Sequence, residues 1–213
     1  MVRRRTAVSL AAAALVAMTP VISACGTPHA GAAAVVENET ISVSDLQSKV
    51  NAVRTAQEKS PQSAALIEGS SDLTSQTLST MVVTRLLDRV AKDAGVTVTR
   101  SDIGQMRKAL EAQSGGPDAL APALLEKYNV APSEIDAFCR LQVEAGKIIS
   151  SLGVEPGSDG GSAALNQLLA KTGKDMKIDV NPRYGTWDVQ NARLGATHEP
   201  WLAPVATAPV QSA

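Results

Sequence analysis

Apolar residues recur at spacings of three and four along most of the chain, and the broadest such stripe predicts a helix from about Asp72 to Ala94. Leu73, Thr77, Met81, Arg85 or Leu86, and Val90 trace one line, while Leu78, Val82 and Leu87 widen it. A stripe this wide is expected to be buried on more than one side, which makes this helix the hub of a domain. Gly95 stands where a C-terminal cap belongs. Upstream, Ser42 with Asp45 three positions on reads as a capped helix start, and Val43, Leu46, Val50 and Val53 give the helix one apolar face. The pattern fades at Glu58–Pro61, and residues 61–71 read as a polar connection.

Downstream the same punctuation repeats. Thr99 with Asp102 predicts a second capped start, for a helix carrying Ile103, Met106 and Leu110 and breaking at Ser114-Gly115-Gly116. A short helix follows from about Pro117 to Tyr128, with Leu120, Leu124 and Tyr128 on one side. Pro132 suits a first helical residue, and a long helix is expected to run to about Leu152, with Ile135, Phe138, Gln142, Ala145 and Ile149 along its buried face. Gly157–Gly161 reads as a flexible linker, after which Ser162 caps a last helix with Leu165, Leu168 and Leu169, ended by Gly173.

Strand signals are confined to the two ends. Ala34–Ser42 holds two short β-favouring runs around Glu37-Asn38-Glu39 and predicts a hairpin; Lys177–Val180 alternates polar and apolar and predicts a half-buried strand able to pair with it. The expected fold is therefore mainly α, a single domain of about six helices with a small N-terminal β-hairpin and a C-terminal strand. Beyond Asp188 the chain is rich in Pro, Ala and Thr without periodicity, and reads as an extended, partly disordered tail.

The N-terminus changes the picture of where this domain works. Arg3, Arg4 and Arg5 precede an apolar run from Ala7 to Met18, and Val21-Ile22-Ser23-Ala24 leads directly into Cys25. That layout is a secretory signal, and a cysteine after the small pair resembles the bacterial lipoprotein signal, in which Cys25 becomes a thioether to diacylglycerol after cleavage behind Ala24. The alternatives are a plain secreted chain with an incidental Cys25, or an uncleaved anchor. The apolar run is short of the roughly 20 residues that span a bilayer. The expected organisation is a lipoprotein signal peptide at 1–24, a flexible tether at 25–33, the helical domain at 34–188 and the tail at 189–213. Localisation follows: lipid-anchored at the cell membrane, on its extracytoplasmic side.

Removal of residues 1–24, whose only charges are the three arginines, takes the net charge from −1 to −4. An acidic, evenly mixed chain is not a nucleic-acid binder, which would carry a basic patch. Aromatics are limited to Tyr128, Phe138, Tyr184, Trp187 and Trp201, so the core must be aliphatic, which favours packed helices over a sandwich. With Cys25 modified, Cys139 has no partner for an internal disulfide and reads as a buried small hydrophobe.

No catalytic, metal or cofactor signature emerges. His198-Glu199 is an isolated pair, and the only other histidine is His29 in the tether. Gly157–Gly161 lacks the strand and the Lys-Ser/Thr ending of a phosphate loop. A hydrolase triad would need a histidine near a nucleophile. Asp88, Asp93, Glu111, Glu126, Glu134 and Glu144 fall mostly on polar helix faces and read as solvating charge. Tyr184 and Trp187 read as a lid on the helical core, the alternative being a peptide-contact platform.

The segments "AAVVENETISVSDLQ", "AGVTVTRSDI", "SGGPDAL", "YNVAPSEIDAF" and "VNPRYGTWD", in that order, resemble the SurA N-terminal domain family, which includes the chaperone portions of SurA-like and PrsA-like extracytoplasmic foldases. The resemblance runs over Ala34–Asp188, and the Ala-rich signal is similar to that of actinobacterial members. Some members carry a parvulin isomerase domain of about a hundred residues between the long helix and the last one; here Gly153–Ser162 is far too short to hold it. The resemblance thus implies a chaperone-like helical module without isomerase activity, binding unfolded or secreted polypeptides and using no cofactor. The competing expectation is a structural or adaptor lipoprotein docking one cell-envelope partner.

Overall fold

The computed structural model describes residues 31–195; the expected signal peptide, Cys25 and His198 lie outside them. The elements run β1 (Ala32–Val36), β2 (Glu39–Ser42), α1 (Val43–Glu58), α2 (Ser63–Glu68), α3 (Leu73–Asp93), α4 (Arg100–Ser114), α5 (Pro117–Tyr128), a 3-10 turn (Pro132–Glu134), α6 (Ile135–Ser151), α7 (Asp159–Asp175), β3 (Ile178–Val180), a 3-10 turn (Pro182–Tyr184), β4 (Thr186–Asp188) and β5 (Arg193–Gly195). The architecture is mainly helical, as the periodicity predicts.

Local capping sets several of the starts. Ser42 Oγ accepts from Asp45 N at the head of α1, and Thr99 and Asp102 form a complete reciprocal box at the head of α4. The hairpin β1–β2 has Glu37 at its tip with a positive φ of 54°. β1 is the middle strand of a three-stranded sheet, antiparallel to both β2 and β3, with Ala34 opposite Val180. Ala32 and Ala33, which the sequence places in the tether, are buried in this strand.

α3 is the hub. Leu73, Leu78, Val82, Leu86, Leu87, Val90 and Ala91 are buried along it, in one cluster with Leu46, Val50 and Val53 of α1, Ala34 and Val36 of β1, Ile148 of α6 and Leu169 of α7. A second, smaller core lies apart. Leu120 and Leu124 of α5 meet Ile135 and Cys139 of α6, covered by Ile103, Met106 and Leu110 of α4. The chain thus folds as a body around α3 and a lobe made of α4, α5 and the first half of α6.

The structure corrects the sequence reading in several places. Residues 63–68 of the expected polar connection form the short helix α2, which carries no buried residue. It makes seven α-helices among the described residues, where about six are expected. Gly157–Gly161 is not a linker: α7 begins at Asp159, capped by Ser158, whose Oγ accepts from Gly161 N at 3.0 Å. Gly161 is required by a close approach, since a Cβ there would lie 2.7 Å from the Glu155 carbonyl oxygen and 2.9 Å from Ile149 Cγ2. Gly173 does not end α7 but is buried inside it against Leu86, Ile178 and Val189. On α6 Gln142 is exposed, and the buried face is Ile135, Cys139, Val143, Glu144, Ile148 and Ile149. Within the span expected to be a tail, Arg193–Gly195 pairs with Thr186–Asp188 as a hairpin, its turn held by Asp188 accepting from Gln190 N and Asn191 N. Among the described residues no helix is long and apolar enough to cross a membrane.

Candidate functional site

Where the body and the lobe meet, they leave a groove of about 550 Å³. α3 forms its floor with the line Leu73, Thr77, Met81 and Arg85, together with Gln76, Thr80 and Thr84. The wide apolar stripe of α3 therefore does two jobs. Leu78, Val82 and Leu86 point into the core, and the neighbouring line, buried at Leu73 and half-buried at Thr77, Met81 and Arg85, faces the groove. One wall comes from Asp45, Ser48, Lys49 and Val53 of α1, with Ile41 of β2. The other comes from the α5–α6 corner: Tyr128, Asn129, Val130 and Ala131, then Ala137, Phe138 and Leu141.

The aromatic pair on this second wall joins residues ten apart. The Tyr128 and Phe138 rings lie 5.4 Å apart at a 35° tilt, and Tyr128 remains 50% exposed, offering one face to the groove mouth. The pair is held by the turn between α5 and α6. Asn129 closes α5 in the left-handed region at φ 53°, and its side chain reaches both ways: Oδ1 accepts from Gln57 Nε2 at 3.0 Å, and Nδ2 donates to Gln76 Oε1 at 3.3 Å. Behind it Gln57 and Ser70 are fully buried, and Arg54 donates to Ser70 Oγ and to the Ser70 carbonyl, each at 2.7 Å. A buried polar cluster of this kind fixes one geometry, because each member would be costly to leave unpaired.

The charges around the groove are matched within the protein. Lys49 pairs with Glu134 across the mouth and Arg140 with Asp88; Arg85 Nε lies 2.7 Å from Glu39 Oε2, an ion pair by proximity without hydrogen-bond alignment. Asp45 accepts from the Ser42 hydroxyl at 2.7 Å. The groove therefore presents aliphatic and aromatic surface, threonine hydroxyls and carboxamides, with its formal charges tied to neighbours.

One charge lies deeper than the sequence suggested. Glu144 is buried rather than solvating: burial pushes its carboxyl above the usual carboxylate range, Arg140 opposes the shift from 3.4 Å, and Asp88 adds to it. Its Oε2 has no hydrogen-bond partner among the described residues. Asp88 and Glu134, also read as solvating, are rim ion-pair members.

The other residues singled out by sequence lie away from the groove. Tyr184 and Trp187 pack on the body core as the lid reading holds, with Trp187 Nε1 buried and without a hydrogen-bond partner among the described residues. Cys139 is fully buried in the lobe, and burial raises its thiol above the ordinary value. Among the described residues no group of three or more His, Cys, Asp or Glu is placed to hold a metal. The groove aromatics were visible in the sequence only as members of apolar helix faces; the signal that could have exposed them is an apolar residue at each of Met81, Tyr128 and Phe138 beyond what the core faces need.

No curated protein and no solved structure matches the chain. A family model does, over residues 3–118, through β1–α4 to the first turn of α5; "YNVAPSEIDAF" and "VNPRYGTWD" lie beyond the matched span. With the helical order, the N-terminal hairpin and the groove-bearing α3 all in place, this chain belongs to the SurA-like N-terminal domain family.

Proposed function

We propose that this protein is a membrane-tethered, extracytoplasmic, chaperone-like lipoprotein whose groove takes an extended, uncharged stretch of an unfolded or secreted polypeptide, without isomerase activity. Membership of a chaperone-like family supports the class of function. The observation that carries the groove assignment is its lining: Met81, Tyr128, Phe138 and Leu141 beside Thr77, Thr80 and Thr84, with the surrounding charges already paired. Such a surface rewards apolar side chains and hydroxyl or amide contacts, and penalises a ligand charge, which would lose its hydration without gaining a free partner. Anchoring through Cys25 rests on the lipobox alone; a diacylglycerol with an added acyl chain suffices for stable attachment where one chain does not.

The test uses Thr80→Glu with Ala137→Glu, two exposed positions, one on the α3 floor and one on the α6 wall. The mature chain is expected to slow aggregation of an unfolded client, and the double variant to lose that effect while keeping its helical circular dichroism. Unchanged protection in the variant would remove the groove from the mechanism. Absence of protection in the wild type would leave the adaptor reading, which one observation favours: among the described residues the exposed large hydrophobics, Ile67, Tyr128 and Leu152, lie on three different elements rather than in a broad patch. That reading expects one stable partner in a cross-linking pull-down. For the anchor, Cys25→Ala is expected to move the protein from the membrane to the soluble fraction.

A further inference from the structure

We infer that residues 200–210 of this same chain, Pro-Trp-Leu-Ala-Pro-Val-Ala-Thr-Ala-Pro-Val, are an internal occupant of the groove and compete there with external polypeptide. The inference rests on the reading of the groove as a site for extended polypeptide, and adds a built-in competitor to it.

Three observations converge. The first is chemistry. From Pro200 to Ala213 the chain has no charged residue, and it alternates prolines with Trp201, Leu202, Val205 and Val210. Prolines at 200, 204 and 209 oppose helix and favour an extended polyproline conformation, the form that docks into aromatic-lined grooves at low entropic cost. The groove offers the matching features, the Tyr128–Phe138 pair and an apolar floor at Met81, with charges that are already paired.

The second is the point of departure. The described chain ends at Gly195 in β5, which lies against α3, and Leu194 N donates to Ser79 Oγ at 3.3 Å. Ser79 is the immediate neighbour of Thr80 in the groove floor, about 100° around a helix of 3.6 residues per turn. The third is reach. Five residues lie between Gly195 and Trp201, so the six steps span up to about 20 Å of extended chain, against a helix diameter of roughly 10–12 Å including side chains. The tail therefore needs only to round one side of α3 to bring Trp201 to Met81 and Tyr128, and attachment holds it at an effective concentration on the order of millimolar.

The experiment compares the mature chain, residues 25–213 with Cys25→Ser, with the same chain carrying Trp201→Ala and Leu202→Ala. The Met81 methyl and the Tyr128 and Phe138 ring resonances are expected to shift between the two, the Ile67 and Leu152 methyls to stay, and a synthetic 200–210 peptide added to the variant to restore the original positions. Groove resonances that do not move would overturn the proposal. So would shifts that depend on protein concentration, which would put a second copy's tail in the groove. A tail docked about three-quarters of the time weakens apparent client affinity about fourfold, so the variant should bind an unfolded client tighter by that factor. Equal client affinity in the two chains would overturn the competition. If neither chain binds client while the groove resonances still shift, the chaperone reading falls and the docked tail stands.

Discussion

The body and the lobe of this domain are stabilised in different ways. The body buries seven residues of α3 alone, and has a fully buried polar cluster at Gln57 and Ser70. The lobe's own cluster holds four buried residues, Leu125 of α5 joining the body's cluster instead, and α4 contributes none that is buried. What α4 has instead is ionic and local: its capping box, Lys147 on Asp102 at 2.6 Å, and Arg107 on Asp136 at 2.8 Å and on Glu111 at 3.1 Å. Burial of apolar area contributes far more than exposed ion pairs do. The groove therefore has one stiff wall and one soft one, and the soft wall carries the Tyr128–Phe138 pair. Regions of low local stability are where proteins accommodate ligands of varied shape.

The comparison can be broken from either side. Leu86→Ala removes a fully buried side chain facing Gly173 of α7 and is expected to cost about 3–5 kcal/mol of global stability, read by urea unfolding. Leu124→Ala is expected to cost about 2–3 kcal/mol, and to show it in one place: amide exchange in α4 and α5 should accelerate while α3 keeps its protection. Equal acceleration in both would mean that body and lobe open as a unit, and the contrast drawn above would fail.

The seam between them is electrostatic, and pH sharpens it. Burial raises the Glu144 carboxyl, so the native state holds its proton where the unfolded chain has released it, and stability falls as pH rises from the unfolded value through the raised one. Glu144→Gln should thus stabilise at neutral pH, by on the order of 1 kcal/mol given the lower cost of burying an amide, with the gain vanishing in acid. Asp102 has the opposite sign. The Lys147 ammonium first, and then Thr99, hold its carboxyl down from 3.8 to about 2, so its stabilisation is complete above pH 3.8 and is lost as pH falls towards 2. Asp102→Asn should give the smallest loss at neutral pH and flatten the acid limb of the stability curve, as measured by thermal melts across that range.

How much of this was legible depends on how local the cause is. The caps at Ser42 and Thr99 are set by side chains three residues away, and the sequence shows them outright. The α3 hub and the pairing of β3 with the hairpin follow from periodicity and alternation. Gly161 was misread because its reason, the Glu155 carbonyl and Ile149 Cγ2 standing where a Cβ would be, comes from the preceding turn and from another helix. Glu144 was misread because its neighbours on the helical wheel are partly polar, and only the packing of α6 on α3 encloses it. The groove aromatics escaped for the same reason: Tyr128 and Phe138 lie on two helices, and the turn that brings them together is closed by an asparagine hydrogen-bonded to α1 and α3.

The central position of β1 also sets a timetable. Its partners are β2, a few residues away, and β3, with Ala34 paired to Val180, so the first strand of the domain is completed by nearly the last. A chain exported N-terminus first would present β1 with one edge unpaired until residue 178 emerges, and the long loop closure is then made late and slowly. On the export proposed above, the chain itself passes through an incomplete, edge-exposed state of the kind its proposed clients present.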